Sequence, residues 1–460
     1  MNDKTKELET LPIGKLLAQY SIPAVIAMVV NAIYNVVDRI FIGNFAGEKA
    51  LAGLTIAFPI MMIIFAFASL IGIGGASLMS INLGKKDIKQ TSKIFSNMLS
   101  LGTIITILIL ILLKANLDSL LVLFGATADT IQYASSYLTI IIYGFIFQMI
   151  SFILNSSVRT ENQPILSMVS MLISAVTNII LDYIFIAIFN MGVEGAAIAT
   201  ISGQFVGLLF LLSFYIRKKS VLQLKPKYFI PNWKIFTSII SIGITTFLTT
   251  LGTSIAMSFM NRGLGKYGGT AAITAMGAIN SIFTLFIMPI MGVQQGMQPI
   301  IGYNHGAKRL DRAYKTLKLG LIIGIAFSTV MFLLLEIFPK AFISMFIDSN
   351  SDTVNIAVTG LRIYMLSLPL LSINIYVVGF YQSIAKSVQA LLLGIIRQFV
   401  FLIPLIIIFQ NAFGLMGIWF SVPVADGIAI IISIISLIVN YRNTKNTIKI
   451  HKESELRLET

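Results

Sequence analysis

Cysteine is missing from all 460 residues, and histidine occurs only at His305 and His451. Those absences exclude disulfides, thiolate zinc sites, iron–sulfur clusters, cysteine nucleophiles and any histidine-rich metal centre. Charge is also scarce. Asp, Glu, Lys and Arg together make up 11% of the chain, against about 25% in an ordinary soluble domain. Their place is taken by apolar side chains, at 57% of the residues and a mean hydropathy of +0.89. No soluble core encloses that much apolar surface, so the length reads as a membrane protein and not as two or three soluble domains. Acidic residues are the rarest charged type, 19 against 33 Lys plus Arg, for a net charge of +14. On a soluble protein such an excess points to nucleic acid, but here the basic residues sit between apolar runs.

Twelve apolar stretches reach the roughly 20 residues that cross about 30 Å of hydrocarbon. They fall at 15–41, 51–80, 94–113, 131–155, 164–188, 195–216, 235–260, 271–300, 314–335, 355–380, 387–410 and 414–441. Pro23, Pro59, Pro289, Pro369 and Pro404 lie inside spans, where they mark kinks. The first run is too long for a signal sequence and no small-residue cleavage site follows it, so it is expected to stay as the first helix. Lys and Arg in short loops are held on the cytoplasmic side. Of the 33, 25 lie on the side of both termini, from Lys4 through Lys85, Arg217, Lys308 and Lys386 to Arg457. Arg39, Lys49, Lys114, Arg262, Lys266, Lys340 and Arg362 lie on the other side, and Arg397 is inside a span. Both termini are therefore expected in the cytoplasm. Scattered over short segments, the positive charge serves orientation and anionic lipid, not nucleic acid.

An internal repeat runs through the chain at one offset of 222 residues. It places Gly43, Gly47 and Ala50 on Gly265, Gly269 and Ala272, and Gly74, Asn82, Gly84 and Lys86 on Gly296, Asn304, Gly306 and Lys308. Gly192 and Gly195 fall on Gly414 and Gly417. A six-helix unit begins and ends on one side, so two tandem copies share one orientation about an axis along the membrane normal. The expected fold is an all-α polytopic membrane protein of twelve helices in two six-helix lobes. The divisions are an amino-terminal lobe over 1–216, a basic linker over 217–234, a carboxy-terminal lobe over 235–441 and a tail over 442–460. Two lobes around a cleft suit alternating access.

Val37-Asp38-Arg39-Ile40-Phe41-Ile42-Gly43, Gly72-Ile73-Gly74-Gly75-Ala76-Ser77 and Asn178-Ile179-Ile180-Leu181-Asp182 stand in the first, second and fifth spans. Gly192-Val193-Glu194-Gly195-Ala196-Ala197 leads into the sixth, and Gln298-Pro299-Ile300-Ile301-Gly302-Tyr303-Asn304 ends the eighth. In this order on a duplicated chain, they resemble the multidrug and toxic compound extrusion (MATE) family over nearly the whole length. Within it, the nearest likeness is to the bacterial DinF-like and Mep-type export branches. The resemblance implies an exporter of amphipathic, mostly cationic compounds, driven by entry of a proton or sodium. It implies no cofactor beyond that coupling ion, no enzymatic activity, and a cell-membrane protein working as a monomer.

An acidic group inside a span costs a few kcal/mol or more, which makes each one a functional candidate. Asp38 and Asp182 lie about three and six residues before the outer ends of the first and fifth spans, and Tyr137 and Thr200 about six and five after the outer ends of the fourth and sixth. At 1.5 Å per residue all four sit roughly 5–9 Å deep in one lobe. Asn178 is one helical turn from Asp182. Two carboxylates at low dielectric cannot both stay ionised cheaply, so a shared proton or a bound sodium at Asp38 and Asp182 would relieve them. Tyrosine, asparagine and threonine oxygens would orient that cation. The family resemblance assigns coupling to the same first-span aspartate and its partners, and Asn155 is a further candidate. The family's carboxy-terminal sodium carboxylates are missing here, with no acidic residue in 235–260 or 355–380.

Glu336 is expected at an exposed helix end, and Asp426 with Arg397 as a buried structural pair. Soft side chains suit ligands of varied shape, so Met61, Met62, Phe65, Met149, Met288, Gln294, Gln295 and Met297 are candidate cleft walls. Glu161 stands in a cytoplasmic turn where the family often has glycine. Gly263-Leu264-Gly265-Lys266-Tyr267-Gly268 follows no strand, so it is no dinucleotide site. A lipid-linked precursor flippase is the alternative, kept open by Lys386, and a membrane-embedded enzyme is a more distant one. The orientation is checked by reporter fusions: a phosphatase active only outside the cytoplasm should be silent after residue 460 and active after residue 190.

Overall fold

The structure, a computed structural model, describes the backbone of residues 3–124, 126, 130–347 and 353–459, and their side chains except 3–6, 39, 44, 48, 49, 51 and 444–459. Lys4, Lys6, Arg39, Lys49, Lys445, Lys449, Lys452 and Arg457, counted above for orientation, lie outside the described side chains. The described residues form helices and no strand. Hydrocarbon leaves the backbone no partner but itself, which is why long apolar runs become helices. They are α1 (Asp3–Thr10), α2 (Ile13–Phe41), α3 (Glu48–Gly84), α4 (Ile88–Leu123), α5 (Ile131–Thr160), α6 (Pro164–Asp182) and α7 (Gly192–Ile216), then α8 (Trp233–Gly306), α9 (Leu310–Ile337), α10 (Pro339–Ile343), α11 (Thr353–Tyr364), α12 (Leu368–Ser383), α13 (Ser387–Ile395) and α14 (Ile403–Glu459).

Ten continuous helical runs are long and apolar enough to cross a membrane. Two of them hold two crossings each. The run Trp233–Gly306 breaks at Gly269 (φ 59°, ψ −157°), and α14 breaks at Gly414 (φ 58°, ψ −133°). Divided there, the ten runs give the twelve expected crossings. The break residues also carry the repeat into the backbone. Gly47 and Gly192 have φ of 89° and 56°, and at the 222-residue offset they fall on Gly269 and Gly414. Only glycine takes that left-handed region without strain. Ile22, Ile107, Leu112, Ile180, Ile322 and Ile431, spread along the helices, are more than half exposed. In water this would be an aggregating surface, and in a bilayer it faces lipid.

Buried apolar side chains form one cluster from residues 42–239 and another from residues 256–425. A third joins the two lobes, gathering Leu16, Tyr20 and Leu83 with Ile300, Tyr376 and Phe380. There the backbones themselves touch. A Cβ on Gly84 would strike the carbonyl of Tyr303, and one on Gly306 would strike that of Ile81. The offset maps each of these contacts onto the other, as a pseudo-two-fold axis requires. Above them Gln298 Nε2 donates to Ser77 Oγ (2.9 Å) and to the Ile73 carbonyl (3.0 Å). These contacts sit at the end of α3 and α8 that carries the basic turns. Beside them Glu9 pairs with Arg309 (3.0 Å), Arg312 donates to the carbonyls of Leu8 and Leu11, and Asn162 Nδ2 donates to Glu7 (2.8 Å).

The linker is fastened to the first lobe. Asn97 Nδ2 donates to the Tyr228 carbonyl, Ser100 Oγ to that of Phe229, and Ser92 Oγ accepts from Gln223 N–H. Glu161, in the turn between α5 and α6, accepts from Tyr215 Oη (3.1 Å), Ser220 Oγ (2.6 Å) and Val221 N–H (2.9 Å). Burial pushes its carboxyl up to about 7, while the three hydrogen bonds pull the other way. The folded state therefore holds this proton where the unfolded chain has lost it, and stability falls as pH rises from about 4.5 to about 7. Thermal unfolding of purified protein between pH 5 and pH 8 should show that fall, and Glu161→Gln should flatten it.

Candidate functional site

α2 and α6 pack side by side, and α7 packs on α6 closely because Gly203 lies over Ser174 and Asn178. That closeness lets Asn178 Nδ2 donate to Thr200 Oγ1 at 3.5 Å. Asp182 follows one turn later, fully buried, and Asp38 on α2 is buried within electrostatic reach of it. Tyr137 enters from α5, buried, within hydrogen-bonding reach of Thr200. The structure thus brings Asp38, Tyr137, Asn178, Asp182 and Thr200 together inside the first lobe. Sequence reading missed Tyr34, which feels the charge of both carboxylates. Its signal was present, because Asn31, Tyr34 and Asp38 are spaced to share one face of α2.

The electrostatics of the cluster are unbalanced. Neither oxygen of Asp182 has a hydrogen-bond partner, and Asn178 Oδ1 has none either. A buried acceptor left unmade costs about 1–3 kcal/mol, and more when charged. No Lys or Arg pairs with Asp182 among the described residues. A set of oxygens only, with two carboxylates, suits a proton or a hard monovalent cation.

Local backbone geometry marks the same places. Ile42–Ala46 and Tyr183–Ile188 are π-helical, just beyond Asp38 and Asp182, and Ile396–Leu402 is π-helical around Arg397. Single π-turns of this kind recur at functional sites. Each π-segment in the described residues adjoins an ionisable group within the membrane.

Asn155 lies apart from the cluster. It donates to the Ser151 carbonyl (2.9 Å) and accepts from Ser167 Oγ (2.9 Å), which in turn accepts from Arg159 (3.0 Å). Ser167 is eleven residues before Asn178 on α6, about 16 Å along the helix. Among the candidate wall residues, Met149 and Met297 are packed inside apolar clusters, Met297 directly beneath Gly320, and so cannot line a cleft in this arrangement. Met61, Met62, Phe65, Met288, Gln294 and Gln295 are partly exposed. Phe65 stacks edge-on with Phe152 (5.4 Å), and Gln295 Nε2 reaches Met28 Sδ across the lobes (3.6 Å). Glu336 pairs with Arg362 at the surface (3.3 Å). Lys386 is tied to Asn440.

A family model described as MatE matches residues 23–184 and 241–408. The chain belongs to this family, the MATE transporters. It is similar to the multidrug export protein MepA of Staphylococcus saprophyticus, 27% identical over 420 residues that cover 91% of this chain and 92% of that one. Among solved structures it is similar to the MATE multidrug transporter DinF-BH, with 37% identity, a TM-score of 0.87 and coverage of 94% and 96%. An outward-facing MATE transporter of the MOP superfamily shares the fold, with a TM-score of 0.91 at 24% identity over 97% and 99%. This MATE chain is a multi-pass membrane transporter of the multidrug-efflux class, in a family of transporters and not of enzymes.

If the two aspartates share one pocket, their substitutions cannot be independent. In a double-mutant cycle of thermal or denaturant unfolding, Asp38→Asn and Asp182→Asn should depart from additivity by about 1 kcal/mol. Additive effects would place the two groups in separate environments.

Proposed function

We propose that this transporter exports amphipathic, mostly cationic compounds in exchange for an entering proton or sodium ion, and that Asp38 and Asp182 carry that ion. The observation behind this reading is the pair of unpartnered Asp182 oxygens beside Asp38 in a water-poor lobe. Such a site has low energy only when a cation that is not part of the chain occupies it. Asn178, Thr200 and Tyr137 then serve as neutral oxygens that orient the ion, with no charge of their own to compete.

The lobes meet where α3 and α8 end, on the side of the basic turns. With those turns in the cytoplasm, the lobe contacts lie on the cytoplasmic side, the arrangement in which an exporter would release substrate outward and accept the ion. Neutralising the two carboxylates removes their mutual repulsion and allows α2 and α6 to settle closer. Exchange requires that the lobe arrangement favoured by the loaded site differ from the one favoured by substrate. One chain holds the whole constellation, which supports function as a monomer. The positive-inside pattern supports a cytoplasmic position for both termini.

Efflux of a fluorescent organic cation from proteoliposomes tests this, under an imposed proton gradient and separately a sodium gradient. One gradient should drive export by the wild type, and Asp38→Asn should abolish the gradient-driven part, a loss of at least about tenfold. Undiminished export by the variant would remove Asp38 from coupling. Movement of a lipid-linked pyrophosphate in place of the cation would favour the flippase reading.

A further inference from the structure

The second lobe also holds ionisable groups within the membrane. Arg397 is ten residues beyond the start of α13 at Ser387, about 15 Å into the membrane, and Asp426 is twelve residues past the bend at Gly414, about 18 Å. Arg397 Nε donates to Asp426 Oδ1 at 2.6 Å, and Ser367 Oγ donates to Asp426 Oδ2 at 2.7 Å. Both carboxylate oxygens are therefore engaged, and the Asp426 side chain is 3% exposed. The guanidinium is not used up. Only Nε meets Asp426, the two terminal nitrogens have no acceptor among the described residues, and 18% of the side chain is exposed.

A buried structural pair would use the whole fork of the arginine, in the bidentate geometry that makes such pairs strong. Here the carboxylate, itself held by the Ser367 hydroxyl, meets only Nε and leaves the terminal nitrogens of the guanidinium without an acceptor among the described residues. The surrounding backbone is irregular on both sides, with a 3-10 turn over Met365–Ser367 and a π-turn over Ile396–Leu402. Broken helices at membrane depth are tolerated where they line a cavity, and transporter sites are commonly built from them. One turn before Ser367, Tyr364 meets Phe283 edge-on at 5.7 Å, an aromatic surface for a flat ring.

The repeat sharpens the contrast between the lobes. At the 222-residue offset Asp38 and Asp182 fall on Met260 and Pro404, while Arg397 falls on Ala175, one turn from Asn178. Among the described side chains, Asp182 in the carboxylate cluster of the first lobe has no basic partner, Arg159 bonding to Ser156 and Ser167 instead, whereas the membrane carboxylate of the second lobe holds a cation. We propose that Arg397 is an anion-accepting subsite, whose free fork takes the carboxylate of zwitterionic organic substrates while Asp426 and Ser367 hold the guanidinium in place. This deepens the exporter reading by naming the residue that receives a substrate carboxylate, and rests on that reading only for its transport arm.

Ciprofloxacin, a flat zwitterion, and its methyl ester, which lacks the carboxylate, are the probes. Binding of each to purified protein and export of each from proteoliposomes are measured for the wild type, Arg397→Lys and the double variant Arg397→Gln with Asp426→Asn. The double variant removes both charges at once, so it leaves no unpaired carboxylate to unfold the lobe. The wild type should bind the acid about tenfold better than the ester, as one charge-assisted hydrogen-bonded contact allows. The double variant should bind the two equally, with the ester unchanged, and Arg397→Lys should fall between. Equal binding by the wild type, or a preference that survives in the double variant, overturns the subsite. A wild type that prefers the acid but exports neither compound sinks the exporter reading and leaves the subsite standing.

Discussion

No water is available in the middle of a bilayer, so a polar group placed there must find its partner within the chain or bring one in from outside. Nearly every feature of this transporter answers that requirement. The backbone answers it with helices, and many Ser and Thr side chains answer it by donating to carbonyls one turn back, as Ser80 does to Ala76 and Thr249 to Thr245. Asp426 answers it with an arginine and a serine of its own lobe. The Asp182 oxygens have no such answer among the described residues, which is why the proposed ion is assigned to that place.

Much of this was legible in the sequence because membrane physics compresses the possibilities. Twelve runs of the right length, one offset and the sign of the loop charges lead to two lobes, and depth arithmetic alone gathers Asp38, Asp182, Asn178, Tyr137 and Thr200. The same arithmetic could not place Met149 or Met297. Depth says nothing of azimuth, and in a helix that is apolar all round no periodicity separates a packed face from an open one. Glu161 was visible only as an odd residue in a turn, because its partners Tyr215, Ser220 and Val221 lie 54–60 residues away. The π-turns also leave no trace in composition. They are paid for by tertiary packing, which a single sequence does not display.

The two halves share a backbone more closely than they share chemistry. Gly47 and Gly269, Gly192 and Gly414, and Gly84 and Gly306 keep their roles, since each is fixed by a dihedral angle or a close approach that no other residue tolerates. The ionisable groups within the membrane, Asp38, Asp182, Arg397 and Asp426, have not been kept in register. Geometry was retained where the pseudo-two-fold packing needs it, and charge was redistributed where it does not, which gives the two lobes different electrostatic work to do.

The anchored linker has a mechanical consequence. Asn97 both holds the Tyr228 carbonyl and accepts from Asn232 N–H, while the Asn232 side chain caps the first turn of α8. The opening turns of α8, Ile235, Phe236 and Ile239, are buried in the first lobe's core, and Ala256 begins the second lobe's. The connection therefore has no slack to give. Any swing of one lobe against the other must be taken up as bending of a single continuous rod between Ile239 and Ala256, where Thr249, Thr250, Thr253 and Ser254 each bond back to a carbonyl one turn earlier. Such back-bonding favours curvature in a helix. Such flexure would fall in a stretch of helix inside the membrane, with the anchored loop outside it as a fixed mount.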